Sequence, residues 1–537
     1  MVSVLLQSIL FGIVTWLMWR IFRHLILKSP LDLLPGPSTS SFWTGHLKQL
    51  IKPGALAFHK EIAETYGPVF TIRGLFRQRI LYVYDPNFMH QIVLKQQDLF
   101  EKSPLFVKSL HNLFGPGLLG TMGAQHRRQR KLLNPLFSVN HLRSVTPIFY
   151  EVCHKLRDAI ESRVHDGPQE VDMLSWMSRA ALELIGQSGL GYSFDPLVED
   201  RPDAYGDALK TLIPTLSELG LIRRLNQYIP SWVPLSLRRK IFNMIPHKGF
   251  QKLQAVADTL HSRSIEIFLE KKAAVETGDE VGEAKDIMSV LLKANMQASV
   301  EDRLPEDEVI AQMSTITFAA MDTTSSALSR ILHLLAQYPI IQEKLREEIL
   351  KASEDRDLSY DDLVDLPYLD AVCRETLRLH APVPFLMREC CGDTVLQLSE
   401  PVLRADGSTT KKLAIPKGTK VLISMAASNC SKALWGEDAD EWKPERWLSP
   451  LPTTIMEAPV PGVYSHLMTF FGGPRACIGF KFSQLEMKVA LCTLLSNFTF
   501  GLSDKPIVWN FGPVSFPSVG QYGGRPQLPV KVELLKR

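Results

Sequence analysis

Cys477 stands in the run Phe470-Phe471-Gly472-Gly473-Pro474-Arg475-Ala476-Cys477-Ile478-Gly479, and an amphipathic helical pattern begins at once at Phe480. A thiol in a glycine-lined turn at a helix amino terminus meets backbone N–H groups and a positive dipole end, with Arg475 close by. These features favour the thiolate, which can bind iron. The bland reading of any lone cysteine is a small buried hydrophobe. A second reactive pattern is Asp322-Thr323-Thr324, inside a long apolar helical stretch, where an acid is costly unless something uses or satisfies it. An acid beside an alcohol can pass a proton, whereas a threonine bonded back to its own helix does nothing chemical. Glu375 and Arg378 lie three apart on one helical face and can pair there, although most such pairs are exposed and contribute little. The run His126-Arg127-Arg128-Gln129-Arg130-Lys131 is too short for a nucleic-acid patch and reads equally as a solvated helix face.

The elements that must position these residues are mostly helices. Apolar residues recur at three and four in Val152 to Val164, Gln254 to Lys271, Glu306 to Ala336, Tyr368 to Leu379 and Phe480 to Leu495. Strand signals are few: a hairpin over Val69 to Arg73 and Arg79 to Tyr84, and a stretch from Thr394 to Ile423 with a turn at Asp406-Gly407. The pattern predicts a mainly α fold with small β-sheets. Residues 274 to 285 read as a solvated loop. The chain has 537 residues, 45% hydrophobic and 22% charged, which excludes disordered and collagen-like classes. A net charge of +3 from 60 basic and 57 acidic residues gives no reason to expect nucleic-acid binding. Seven cysteines without a C-x-x-C pair argue against a zinc cluster and a disulfide framework.

At the amino terminus, Val4 to Trp19 is nearly all apolar, and extension through Leu27 gives enough residues to cross a bilayer if Arg20, Arg23 and His24 snorkel. No basic residue precedes the run and no small-residue cleavage site follows it, so an anchor fits better than a cleaved signal peptide. Arg20, Arg23 and Lys28 on the carboxyl side place the remaining chain in the cytoplasm, which in a eukaryotic cell is the face of the endoplasmic reticulum. The expected organisation is an anchor over 1–28, a stiff Pro/Gly-rich hinge over 29–37 and one large domain over 38–537.

The run around Cys477 matches F-x-x-G-x-R-x-C-x-G, and on this the chain resembles the cytochrome P450 family, the likeness covering essentially its whole length. The resemblance implies the P450 fold, haem b as cofactor, and a reaction in which O2 and NADPH-derived electrons place one oxygen atom in a C–H bond. It implies Cys477 as the axial thiolate on the haem iron, donating electron density that favours O–O cleavage. It also implies that Phe470 packs near the sulfur, Gly473 and Gly479 give backbone access to the porphyrin, and Arg475 pairs with a propionate. Glu375 and Arg378 match the family's E-x-x-R, and Pro444-Glu445-Arg446-Trp447 resembles P-E-R-F, so Glu375, Arg378 and Arg446 are expected in a buried charge cluster. Asp322 and Thr323 match the acid–alcohol pair of the proton relay, with Ala320 where glycine is usual. Arg130 matches the propionate arginine of W-x-x-x-R, with His126 in place of tryptophan, and Arg388 is a further propionate partner by position.

By family position, the substrate walls are Phe106, Leu110, Phe114, Ile316, Ala319, Ala320, Val383, Phe385 and Phe516, each of which also suits an ordinary core. The stretch from Leu209 to Pro246 is expected to dip into the membrane as an access lip. The style is similar to membrane-bound fungal members, which oxidise terpenoids, sterol-derived triterpenes and polycyclic aromatics in secondary metabolism or detoxification. The expected partners are membrane lipid, NADPH-cytochrome P450 reductase and, as a second donor, cytochrome b5, the donor meeting the basic run near 126–131. Two other readings stand beside this one: a haem-thiolate isomerase or dehydratase that needs no reductase, and a non-catalytic membrane-tethered binding protein.

Overall fold

Helices with apolar stripes dominate, and small sheets close one part of the fold. The computed structural model describes residues 26–39, 41–195, 197, 204–219, 248–277, 286–354 and 356–535, with scattered positions between 7 and 22. Most of the expected anchor, residues 220–246 of the expected access lip and residues 278–285 of the expected loop lie outside the described residues. Among the described residues no helix is long and apolar enough to cross a membrane.

Seven helices frame the site. Helix α1 is Pro104–Phe114, capped by the Ser103 hydroxyl, which accepts from Phe106 N at 3.3 Å. Helix α2 is Gly123–Leu133, α3 is Val139–Val164 and α4 is Met173–Leu184. Helix α5, Glu306–Gln337, is the spine of the fold and packs against α4 and against the two helices that follow. It starts with Glu306, Asp307 and Glu308, acids that suit the positive end of its dipole, and Pro339 lies just beyond its end. Helix α6 is Pro367–Leu379, with proline where the first turn leaves its N–H unused, and α7 is Phe480–Leu495. Leu142, Phe149, Leu332, Phe482 and Leu491 are buried between them. The Phe149 and Phe482 rings meet edge to face at 4.9 Å. Each such side chain contributes about 1.5–3 kcal/mol by leaving water.

The main sheet has the spatial order β1-β2-β7-β4-β3, where β1 is Val69–Arg73, β2 Arg79–Val83, β3 Phe100–Glu101, β4 Phe385–Cys390 and β7 Lys420–Ser424. Strands β1 and β2 form the expected hairpin, Val69 opposite Val83, while β2 and β7 run parallel. Side chains alternate across β2: Leu81 and Val83 join one apolar cluster, Ile80 and Tyr82 another, so both faces of the sheet are covered. Strands β5 (Thr394–Leu403) and β6 (Thr409–Ile415) form a hairpin around the turn expected at Asp406-Gly407. Residues 29–37 are docked on this sheet. Leu31 and Leu34 are buried in its core, Asp32 pairs with Arg79, and Thr71 N donates to Pro35 O at 3.0 Å. A short segment that buries two leucines and makes a partly exposed ion pair behaves as a strap against the sheet, where the prolines suggested a stiff hinge.

Candidate active site

Strand β8, Leu467–Gly472, delivers the cysteine loop to the amino terminus of α7. A side chain at Gly472 would lie 1.8 Å from Pro461 O, and one at Gly473, where φ is +60°, 2.5 Å from Val93 O. These glycines therefore serve the close approach of the loop to neighbouring backbone, a use the motif alone did not suggest. Phe471 also has positive φ, 57°, a strained geometry for a non-glycine, and is buried in the apolar cluster beside the loop. Phe470 lies between the rings of Tyr464 and Phe480, at 5.6 and 6.1 Å. Cys477 N donates to Phe470 O at 2.9 Å, and Gly479 caps α7.

The Cys477 side chain is accessible although it lies deep among protein atoms. That desolvation pushes its thiol above the ordinary value; the Gly479 N–H and the Arg130 guanidinium oppose the shift without overturning it. The expected bias towards thiolate is thus corrected: the protein groups alone favour the thiol, and coordination to a metal ion is what deprotonates such a group. The cation whose field reaches the sulfur is Arg130, which also donates to Ala476 O. Arg475 turns away to a two-oxygen pair with Glu101 at 2.7 and 2.9 Å and donates to Thr121 O at 3.0 Å.

Five basic groups converge here: Lys102, His126, Arg130, Arg388 and Arg475. Arg388 is 6% exposed and His126 5%, so their charges are poorly shared with water. Burial, then Arg388 and Arg475, pulls the Lys102 amine down to about 7. Burial, then Arg475 and the other cations, pulls His126 down to about 3, so its imidazole is neutral at pH 7 and keeps an N–H to donate. Burial, then Arg475, lowers Arg388 to about 10. Glu101 is the carboxylate that answers this set among the described residues. A buried excess of positive charge beside an accessible thiol fits a flat dianion with a soft metal ion, which is what an iron porphyrin with two propionates presents. Lys102 and Glu101 carry no sequence signal; only the fold brings them to the arginines.

The other basic residues of α2 divide in two. Arg127 and Lys131 lie on the surface, paired with Asp98 at 3.3 Å and Asp302 at 2.6 Å. Arg128 turns inward to Glu308 at 2.8 Å, and Gln125 and Gln129 bond the same carboxylate, tying α2 to the start of α5.

The charge cluster is fully assembled. Glu375 and Arg378 have no exposed surface, and Arg378 donates to both Glu375 oxygens at 2.9 and 2.8 Å. Its remaining N–H groups reach the carbonyls of Asn429, Ala439 and Glu441. Arg446 meets Glu375 at 3.3 Å and Asp438 at 2.7 Å. Trp447 does more than replace one aromatic by another: its Nε1 donates to Glu375 Oε2 at 3.0 Å, a bond phenylalanine cannot make.

On α5, residues 311–317 and 324–329 are buried, whereas 318–320, 322 and 323 keep accessible surface. Asp322 thus faces inward on an accessible stretch, and burial pushes its carboxyl up to about 7, opposed by Lys210. The Thr323 hydroxyl donates to Ala319 O at 2.7 Å, the local bond that the bland reading anticipates, and its oxygen lone pairs stay free to accept. Helix α5 runs unbroken through Ala320, so the opening implied by the resemblance is not seen. Beside this pair stands a group the sequence reading passed over. Glu486 on α7 is fully buried, neither of its oxygens makes a well-formed hydrogen bond, and burial holds its carboxyl well above the usual range, with the Thr324 hydroxyl offsetting part of the shift. The signal was an acid inside an apolar helical stripe.

The expected walls separate into groups. Phe114 stacks on Phe318 at 4.6 Å, and Leu110 and Ile316 share its core. Ala319, Ala320 and Val383 keep accessible surface near Asp322 in the chain or at the loop before β4. Phe106 is 50% exposed on α1, and Phe385 packs in the sheet's core between His59 and Phe511. Phe516 begins strand β10 (Phe516–Val519), paired with β9 (Ile507–Asn510), opposite Asn510.

An accessible cysteine at the head of α7, a cation cluster above it, a buried E-x-x-R triad behind it and an acid–alcohol pair on the long central helix place the chain in the cytochrome P450 family, whose model matches residues 35–516. Relatives agree in class. The chain is 52% identical over 522 residues to cytochrome P450 monooxygenase 81 of Postia placenta, covering 96% of this chain and 95% of the relative. It is 50% identical over 538 residues to cytochrome P450 monooxygenase 91 of the same fungus, covering 99% of each. It is also 48% identical over 534 residues to a ganoderic acid synthetase of Ganoderma lucidum, covering 97% of each. The protein is a cytochrome P450 monooxygenase; its family uses a haem iron, O2 and electrons from a redox partner on a hydrophobic substrate.

Proposed function

We propose that the protein oxygenates a terpenoid, of sterol or triterpenoid type, in fungal secondary metabolism. The supporting observation is the joint placement of Cys477, the five basic groups and the inward-facing Asp322–Thr323 pair, together with a relative named for a ganoderic acid. Cys477 would ligate the iron of haem b, and Arg130, Arg388, Arg475, His126 and Lys102 would hold its propionates. When bound, the haem would supply the activation of O2, with electrons from NADPH passed on by a reductase.

The chain's own residues then do three things. The apolar side chains of α1, α5 and the loops before β4 and β10 bind the substrate and exclude water. Asp322, with a carboxyl near 7, gives up and regains a proton at neutral pH. Thr323 accepts that proton's hydrogen bond on its free lone pair and holds it on the substrate side, while its own O–H stays tied to Ala319 O. In Thr323→Ala, NADPH should be consumed with little product. In Asp322→Asn, the inflection of turnover near pH 7 should vanish. Full coupling in the first variant would remove the relay. The substrate class is tested by giving microsomes with this chain and a reductase a panel of triterpenoids, other terpenoids and polycyclic aromatics, and looking for added oxygen by mass spectrometry; oxidation confined to the aromatics rejects it.

The proposed location is the endoplasmic reticulum membrane, with the anchor at 1–28 and the haem domain in the cytoplasm, supported by the apolar run and the basic residues on its carboxyl side. Deleting residues 1–28 should move at least half of the protein from the membrane pellet to the supernatant, and complete retention in the pellet would reject that anchor.

A further inference from the structure

Helix α5 carries a second polar position beyond the relay. Asp322, Ser326 and Arg330 recur at intervals of four on one face, so Arg330 lies about 12 Å along the helix from Asp322. Between them the Ser326 hydroxyl donates to Ser515 O at 2.6 Å, and Ser515 N donates to Pro382 O at 2.8 Å. These bonds fix the loop between β9 and β10 over that face.

The Arg330 guanidinium lies over Trp509 of β9, 3.4 Å from a ring centroid. Trp509 Nε1 donates to His333 Nδ1 at 3.0 Å, and His333 Nε2 lies 3.4 Å from the Gln337 side-chain amide, so both ring nitrogens are engaged. His380, just past the end of α6, stands close enough to feel the charges of Arg330 and His333. Burial, then Arg330, lowers His333 to about 4 and His380 well below the usual histidine range, so both are neutral at pH 7.

What this group lacks is an acid. Arg179 is answered by Asp195, Arg378 by Glu375, and Arg346 by Glu343 and main-chain carbonyls. The Arg330 Nε is sealed without a hydrogen-bond partner, and among the described residues no carboxylate comes within ion-pair distance of the side chain. Part of the residue stays accessible, as do parts of Trp509 and His380. A cation so little shared with water and with no counter-charge in the protein is costly unless a ligand supplies one.

We infer that Arg330, resting on the Trp509 indole that His333 holds in place, forms with the neighbouring His380 a binding site for the carboxylate of a hydrophobic acid, two turns of α5 beyond Asp322. One fixed charge among neutral groups suits a monoanion, whereas a phosphate dianion would leave a charge unmatched. The planar guanidinium can give a carboxylate two parallel N–H···O bonds while its face rests on the indole. The acid is either the far end of the molecule oxidised at the haem, which rests on the reading proposed above, or a separate fatty acid; the chemistry recognised is the same.

The test uses the full-length holoprotein with dodecanoate and its methyl ester, followed by calorimetry and by the haem spin-state absorbance. Dodecanoate should bind at least about tenfold more tightly than the ester. Arg330→Met should abolish that preference while leaving ester affinity and the carbon-monoxide spectrum unchanged, and Arg330→Lys should keep part of it. Binding with a spin-state change assigns the acid to the haem-reaching molecule; calorimetric binding without one assigns it to a separate acid, and either result upholds the site. Equal binding of acid and ester by the unaltered protein, no binding of either, or a preference that survives Arg330→Met overturns it. The carbon-monoxide spectrum and oxygenation of neutral terpenoids report on the monooxygenase reading independently.

Discussion

Replacing Cys477 with alanine is expected to abolish the carbon-monoxide difference spectrum of a thiolate-ligated haem and all oxygenation. The reason lies in the alternatives available to the metal. Cys153, Cys373, Cys390 and Cys492 are buried, Cys391 lies just past β4 with its backbone N–H donating to Leu99 O, and Cys430 sits by the charge cluster. No cluster of histidine, cysteine and acidic side chains able to hold a metal ion occurs among the described residues. Nothing else in reach gives electron density as a thiolate does. The wall of five basic groups is untouched by the change, so some haem should still bind, with an altered spectrum. That combination, haem retained and the thiolate spectrum lost, separates ligand loss from unfolding. An unchanged spectrum in Cys477→Ala would refute the ligand assignment.

The second large effect is on folding. Glu375→Ala should leave little or no folded, haem-loaded protein, as read by thermal melting and haem content. The Glu375 carboxylate accepts from Arg378 twice, from Arg446, from Trp447 and from Lys443 N. Its removal strands two guanidinium groups in a region with almost no solvent access, which costs about 3–5 kcal/mol. A domain's whole stability is about 5–15 kcal/mol. The same loss at an exposed ion pair such as Lys60–Asp440 would be about 0–1 kcal/mol. A Glu375→Ala protein that melts within a few degrees of the parent would show that the triad is dispensable.

Much of this was legible from the chain because local patterns and the fold agree. Helix α7 spans Phe480–Leu495 as its periodicity predicts, and α5 and α6 begin or end within a residue of the expected positions. What escaped was set by tertiary placement. The Lys102 amine is lowered first by its burial and then by Arg388 and Arg475, which β4 and the cysteine loop bring beside it. Arg475 looked like the neighbour of the thiol because it is two residues away, yet its side chain leaves the loop for Glu101, and Arg130, far off in sequence, comes to the sulfur instead. The prolines of 29–37 suggested a stiff hinge; that Leu31 and Leu34 have an apolar sheet face to cover, which docks the segment, was not legible from them. Phe385 was assigned to a substrate wall by chain position, whereas the alternation along β4 turns it towards His59.

The wall of five basic groups has a consequence for how much enzyme a cell can hold. Repulsion among Lys102, Arg130, Arg388 and Arg475, with Glu101 as its main relief, works against the compact state until a dianion arrives. A group that binds only the compact state stabilises it by about 4 kcal/mol at a thousandfold excess over its dissociation constant. Polypeptide made faster than haem should then be the fraction that chaperones and proteases meet, so the amount of active enzyme is expected to rise when haem supply is raised at constant transcript level.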